Sequence, residues 1–227
     1  MSRNNGSVDT ERPRRLLFGA GLLLLILETA KQIYLYTEVF KGSYNIWYLP
    51  FQLCSMPMYL CLAYPVLDMR GKAGLKTAAA TFMQDYGVLG GIMALIVRDG
   101  FTWPEHPLLT AHGYIWHVIL ILTGLFIWRN GLSDPSLRGF LRSTGLFFFF
   151  AAAAEVLNVA LRGLGDCDMF YISPYHLSSQ PVFRDIDRVL GRIPGIGIYL
   201  MCIVLGAGII HLCFSFKAVR SRFLMIK

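Results

Sequence analysis

The chain has no Cys-x-x-Cys pair, no run of four or more lysines or arginines, no internal repeat and no low-complexity tract. The missing Cys-x-x-Cys pair removes zinc ribbons and dithiol redox motifs. The missing basic run removes the usual footprint of nucleic-acid binding, so no nucleic-acid partner is expected. The missing repeat argues against the paired halves of many transporters. Charge is also scarce. Only 15% of residues are charged and 55% are hydrophobic, with a mean hydropathy of +0.52, too apolar for a soluble domain of 227 residues. Nothing in the composition calls for a cofactor or a metal.

What is present are continuous apolar blocks of roughly 20 residues, the length that crosses a bilayer as helix. They do not alternate, which excludes a membrane β-barrel. Six spans are expected, at about Leu16–Tyr36, Ile46–Leu67, Leu75–Val97, Leu108–Trp128, Phe140–Leu161 and Gly195–Phe216. The fold class is therefore all-α, a polytopic membrane helical bundle. Residues 1–14 read as a disordered cytoplasmic N-terminus, 15–220 as the bundle and 221–227 as a cytoplasmic tail. The first block is expected to be a span and not a signal peptide, because Glu28, Lys31 and Gln32 interrupt it and no clear small-residue cleavage site follows. The five cysteines, four of them in apolar blocks, argue against a disulfide framework.

Lysine and arginine distribute unevenly over alternate loops, fourteen on one side and six on the other. That bias expects both termini in the cytoplasm, in agreement with an even number of spans. The expected setting is a bacterial cell membrane. One long loop, about Arg162–Pro194, carries a second pattern. Val182, Phe183, Ile186, Val189, Leu190 and Ile193 recur at helical spacing, while Arg184, Arg188 and Arg192 form a separate stripe. This predicts a short amphipathic helix lying in the outer interface.

Ionisable side chains inside spans are costly and each marks a candidate site. Here they are Glu28, Lys31, Asp85, His112, His117, Glu155 and His211, with the amides Gln52, Gln84 and Asn158. Bland readings stand beside each. Glu28 and Lys31 can neutralise each other, Gln84–Asp85 can be an interhelical hydrogen-bond knot, and His211 can be structural. With about 1.5 Å of rise per residue, Glu28, Lys31, His112, Glu155 and Asn158 fall in the outer half, and Cys54 about 12 Å below the outer end of its span. A thiol becomes a nucleophile when a base removes its proton and a third polar group orients that base. Cys54, His112 and either Glu155 or Asn158 would supply those parts. Cys54 as a small packing hydrophobe is the alternative.

Several stretches resemble a known family in order along the chain. "LPFQLC" (Leu49–Cys54) resembles the Leu-Pro-Leu-His-Leu-Cys signature of the YwaF-like integral membrane proteins. "GVLGGIMAL", "TAHGYIWHVILIL", "LN" followed by "DMFYISP", and "IDRVLGRIPGIGIYL" resemble its later segments. The likeness covers roughly Trp47 to Met201. That family is similar to an animal transmembrane acyltransferase that moves polyunsaturated acyl chains between phospholipids, and more distantly to the androgen-induced-gene esterases. The resemblance implies a catalytic cysteine at Cys54 and a catalytic histidine at His112. Gln52 stands where the signature has histidine. Asp168-Met169 replaces Asn-Tyr, which moves the hydrogen-bonding aromatic to Phe170 or Tyr171.

Two functions follow as expectations. In the first, the chain is an intramembrane lipid acyltransferase or lipid-ester hydrolase. Cys54 and His112 are catalytic, Glu155 and Asn158 assist them, and an acyl-thioester forms on Cys54. Glu28, Lys31, Gln52, Asp85, Tyr171, Arg184 and Arg188 are then substrate-binding, with the arginine stripe on a phosphate headgroup. In the second, the chain is a non-enzymatic transporter or carrier whose buried charges bind a substrate or relay protons. Membrane lipids are the expected substrate or ligand in the first reading. The acyl donor, the acceptor and the oligomeric state stay open.

Overall fold

The computed structural model describes residues 11–224, with side chains through residue 216. The expected N-terminal segment 1–14 lies outside the described residues up to residue 10, and so do tail residues 225–227. Regular structure among the described residues is entirely helical. The helices are α1 (Glu11–Tyr34), α2 (Met56–Met69), α3 (Ala73–Ile96), α4 (Pro107–Arg129), α5 (Leu137–Leu161), α6 (Phe183–Leu190) and α7 (Arg192–Leu224). Five stretches are long and apolar enough to cross a membrane. The chain is a helical membrane bundle.

The second expected span arrives differently. Ile46–Tyr48 forms one 3-10 turn, Leu49 is extended at φ −51°, ψ 129°, and helix resumes only with the turn Leu53–Ser55 that leads into α2. Pro50 is the cause. It has no N–H to give a helix and drives the preceding residue out of the helical region. Continuous helix over Leu53–Met69 then rises about 25 Å, a little short of the ~30 Å of hydrocarbon. Pro57 is tolerated because it falls in the first turn.

α3 is the central element. Of its most apolar window 61% is buried, against 11% for α7, which lies at the periphery. Small residues let α4 approach α3 closely. A Cβ on Gly91 would meet the His117 carbonyl oxygen at 2.9 Å, and one on Gly124 would meet the Gln84 carbonyl oxygen at 3.3 Å and overlap Val88. Membrane helices pack through such positions because van der Waals contact, not water exclusion, drives their association. Around them Phe82, Tyr86 and Phe147 stack face to face, at centroid distances of 5.0 and 4.9 Å.

The bundle has a loop-rich face, carrying residues 40–52, 97–106 and 162–191, and an opposite face. The opposite face gathers the start of α1, the end of α2 and the start of α3. Asp68 marks that meeting, with Lys76 Nζ at 2.6 Å and Arg14 at 3.9 Å. The amphipathic helix exists as α6 on the loop-rich face, eight residues long. Val182 and Val189 are 67% and 80% exposed, as a face meeting lipid requires. The expected arginine stripe ends short of Arg192, however. Gly191 at φ +87° breaks the helix there, and Arg192 opens α7 instead.

Candidate functional site

Cys54 sits in the 3-10 turn at the start of α2, half-buried. Because residues 49–52 are not helical, it lies at a helix start and not two turns down one. Its carbonyl accepts the indole N–H of Trp116 at 3.1 Å. Trp116 is on α4, one turn after His112, and its ring lies 5.5 Å from the His112 ring at an interplanar angle of 31°. Trp116 therefore touches both members of the expected pair. His112 Nε2 is buried with no hydrogen-bond partner.

α1 adds charge to this corner. Lys31 Nζ lies 2.7 Å from Glu28 Oε1, and Gln32 Nε2 donates to the same oxygen at 2.7 Å and to the Tyr48 carbonyl at 2.6 Å. Glu28 is only 4% exposed. An ion pair so enclosed needs its extra hydrogen bond, because desolvation opposes the Coulomb attraction. The charges of Lys31 and Glu28 act on both the Cys54 thiol and the His112 ring. Four sequence candidates thus share one corner between α1, α2 and α4. Among the described residues no hydrogen bond joins Cys54 directly to His112.

The other candidates lie elsewhere. Asn158 is fully buried, and its amide is committed to the 167–169 segment. Its Oδ1 accepts from the Met169 N–H at 2.6 Å and its Nδ2 donates to the Met169 carbonyl at 3.1 Å. Glu155 faces outward into an apolar groove of about 330 Å³ between α5 and α7, walled by Phe148, Ala151, Ile172, Ile196 and Leu200. Neither residue meets His112. Gln52 clamps the same segment from α2's side: it donates to the Asp168 carbonyl at 3.0 Å and accepts from the Phe170 N–H at 2.8 Å. That pair of hydrogen bonds holds Phe170 at φ 58°, where a non-glycine residue is uncommon. Tyr171 packs on Trp47 at 6.0 Å, and its carbonyl accepts from Arg192 at 2.8 Å.

Arg184 donates to the Ser178 carbonyl at 3.2 Å, and Arg188 pairs with Asp185 at 3.0 Å on the exposed surface. Such an exposed pair contributes little stability. Arg192 is different. It donates to the Ser173 carbonyl at 2.7 Å and to Asp187 Oδ2 at 2.7 Å, and lies 3.8 Å from Asp168 Oδ1. Asp168 Oδ1 also accepts the Ser173 N–H at 2.7 Å, and His176 Nε2 stands 3.9 Å from Oδ2. Burial pushes the Asp168 carboxyl up to about 6, against the pull of the Ser173 N–H, Arg192 and His176. This polar knot fastens the loop-rich cap to α7. Asp85 lies far from Cys54's corner and pairs with His211.

Sequence reasoning did not single out Trp116, His176 or Asp187, and named Asp168 only as a departure from the family's Asn-Tyr. Trp116 had a signal, since it falls four residues after His112 on a helix and so on the same face. The loop acids had none, because their partners come from distant segments. Among the described residues no cluster of three or more His, Cys, Asp or Glu could hold a metal.

No curated protein and no solved structure matches the chain. A family model described as the TMEM164 family matches residues 4–215, which takes in α1 to α6, most of α7 and the corner around Cys54 and His112. The chain is an integral membrane protein and belongs to the TMEM164 family.

Proposed function

We propose that the chain is an intramembrane lipid acyl-transfer enzyme, or a lipid-ester hydrolase, with Cys54 as nucleophile and His112 as general base. The observation that carries this reading is the corner itself. Trp116 bonds the Cys54 backbone at 3.1 Å and stacks near His112 at 5.5 Å, with the Lys31 ammonium acting on both. The ordered likeness to YwaF-like proteins, and through them to a phospholipid acyltransferase, supports it.

The chemistry follows from those groups. His112 Nε2 takes the Cys54 proton, and the thiolate attacks the carbonyl carbon of a lipid ester. Lys31 stabilises the tetrahedral oxyanion, an interaction stronger in the transition state than in the ground state. Collapse breaks the ester C–O bond. The lysolipid leaves with the proton from His112, and the acyl chain stays on sulfur. An acceptor hydroxyl, of a lysolipid or of water, then gives its proton to His112 and attacks the thioester, releasing the thiol. Hydrogen-bond reach between sulfur and imidazole is met on substrate binding, as is common for catalytic contacts that are loose without substrate. Membrane lipids are the substrates. The lysine and arginine bias supports cytoplasmic termini, and the YwaF-like likeness suggests a bacterial cell membrane.

The carrier reading has one observation in its favour: no hydrogen bond joins Cys54 and His112. Both readings are separated by feeding native membranes a phospholipid that carries an alkyne-tagged acyl chain. Hydroxylamine-sensitive label on the protein, lost in Cys54→Ser but kept in Cys61→Ser and Cys213→Ser, is expected of the enzyme. Label that persists in Cys54→Ser is ordinary acylation elsewhere and removes the reading.

A further inference from the structure

A second polar centre lies well away from Cys54, and nothing in the acyl-transfer chemistry uses it. Asp85, in the middle of α3, is completely buried. Its Oδ2 lies 2.8 Å from Nδ1 of His211 on α7, and its Oδ1 accepts from Gln84 Nε2 at 2.9 Å. Gln84 in turn accepts from Ser133 Oγ at 2.6 Å, which reaches in from the loop between α4 and α5. His211 is 4% exposed, its ring packs 5.3 Å from Phe140, and its Nε2 is buried without a hydrogen-bond partner.

A 2.8 Å approach between a carboxylate oxygen and a ring nitrogen requires a proton between them, since two lone pairs would repel. With that proton on Nδ1, Nε2 is the ring position left to change. With Nε2 bare, the pair carries a formal charge of −1 inside an apolar bundle, a costly arrangement. A second proton on Nε2 makes an imidazolium beside a carboxylate and brings the charge to zero. The groups facing this centre are few. From the α4–α5 loop come the Asp134 carboxylate and the backbone of Pro135 and Ser136. From α3 comes the Tyr86 phenol. From α5, Arg142 acts on Asp134. The ring thus faces backbone oxygens and a second carboxylate.

We propose that Asp85 and His211 form a proton-binding site within the bundle, which takes one proton at His211 Nε2 and changes the formal charge of the pair from −1 to 0. The loop at residues 133–136 lies at the face opposite the loop-rich one and gives the short route for that proton. The centre also joins three parts: the buried α3, the peripheral α7 and the α4–α5 loop. Ser215 Oγ bonding the Pro135 carbonyl at 2.9 Å and Trp128 Nε1 bonding the Phe214 carbonyl at 3.2 Å seat the same stretch of α7. Proton occupancy therefore bears on how firmly that end of α7 is held. The site stands whether or not Cys54 is a nucleophile.

The test is nitrogen NMR of the full chain in detergent micelles with labelled histidine. His211→Gln identifies the His211 resonances among the five histidines. Should that variant not fold, Phe140→Leu, which removes the ring packed against His211, marks the same resonances. The expected result is an Nε2 shift that titrates between about pH 5 and 8 while Nδ1 stays protonated. In Asp85→Asn, which keeps an oxygen opposite Nδ1 but removes the charge, the midpoint should move by about one pH unit or more. An Nε2 shift that is flat across the range, or a midpoint unchanged in Asp85→Asn, would make the pair a fixed hydrogen bond and overturn the proposal.

Discussion

Trp116 is the residue through which the Cys54 corner is assembled, because it is bonded to the Cys54 carbonyl and packed near the His112 ring. Trp116→Phe keeps most of the ring and removes only the N–H. A neutral hydrogen bond contributes about 1 kcal/mol to stability, so thermal stability should fall by about that much, while thioester labelling at Cys54 should slow by more than the matching factor of about five. Equal losses of labelling and stability would leave Trp116 a packing residue alone. Lys31→Met asks a harder question of the same corner. It leaves Glu28 as a buried unpaired carboxylate, which costs about 3–5 kcal/mol. The double variant Glu28→Gln/Lys31→Met removes both charges. It should recover most of the stability measured by thermal unfolding without recovering labelling, if the ammonium serves the oxyanion.

At the scale of elements, the cap over the bundle depends on side chains that serve as backbone partners. Gln52 and Asn158 each make two bonds to residues 168–170. Gln52→Ala should cost about 2 kcal/mol and raise amide hydrogen exchange at Phe170, whose N–H loses its acceptor. The Asp168 knot gives a pH dependence. Its carboxyl sits higher when folded, about 6, than when unfolded, about 4. The protonated form therefore stabilises the fold below pH 4, and that contribution disappears as pH rises through 6. Asp168→Asn keeps an acceptor for the Ser173 N–H and stays neutral. Its melting temperature relative to the native chain should therefore climb between pH 4 and 6 and level off above. A constant difference across that range would place the effect in another group. The α3–α4 crossing makes a third case. A valine at Gly124 would overlap Val88, so Gly124→Val should destabilise by about 1–3 kcal/mol in thermal unfolding.

For the whole molecule, the question is which face meets which compartment. Ser43 lies on the loop-rich face and Arg70 on the opposite one. In a background without native cysteines, a maleimide that cannot cross membranes should label Ser43→Cys in intact cells and leave Arg70→Cys until the cells are opened. The reverse pattern would invert the orientation that the lysine and arginine bias expects.

The sequence by itself determined the solvent and the elements. Apolar blocks near 20 residues require helices, because a backbone in hydrocarbon must satisfy its own hydrogen bonds. The starts and ends of α3, α4 and α5 were legible to within three residues, and so was the existence of α6. Pro50 is visible too, but the apolar pattern of Ile46–Leu67 runs through it and hides the break at residues 49–52. Tertiary structure decided the partners. Cys54 and His112 share a corner through Trp116, and not through Glu155 or Asn158. Asn158 and Gln52 went to the backbone of a distant loop. Arg192 left its expected stripe because Gly191 ends the helix one residue earlier. Asp85 found His211 across 126 positions of chain. Local pattern carries the period of a helix and the polarity of its faces. It carries nothing about which buried polar group another helix will supply, and in a membrane that pairing decides which charges can exist at all.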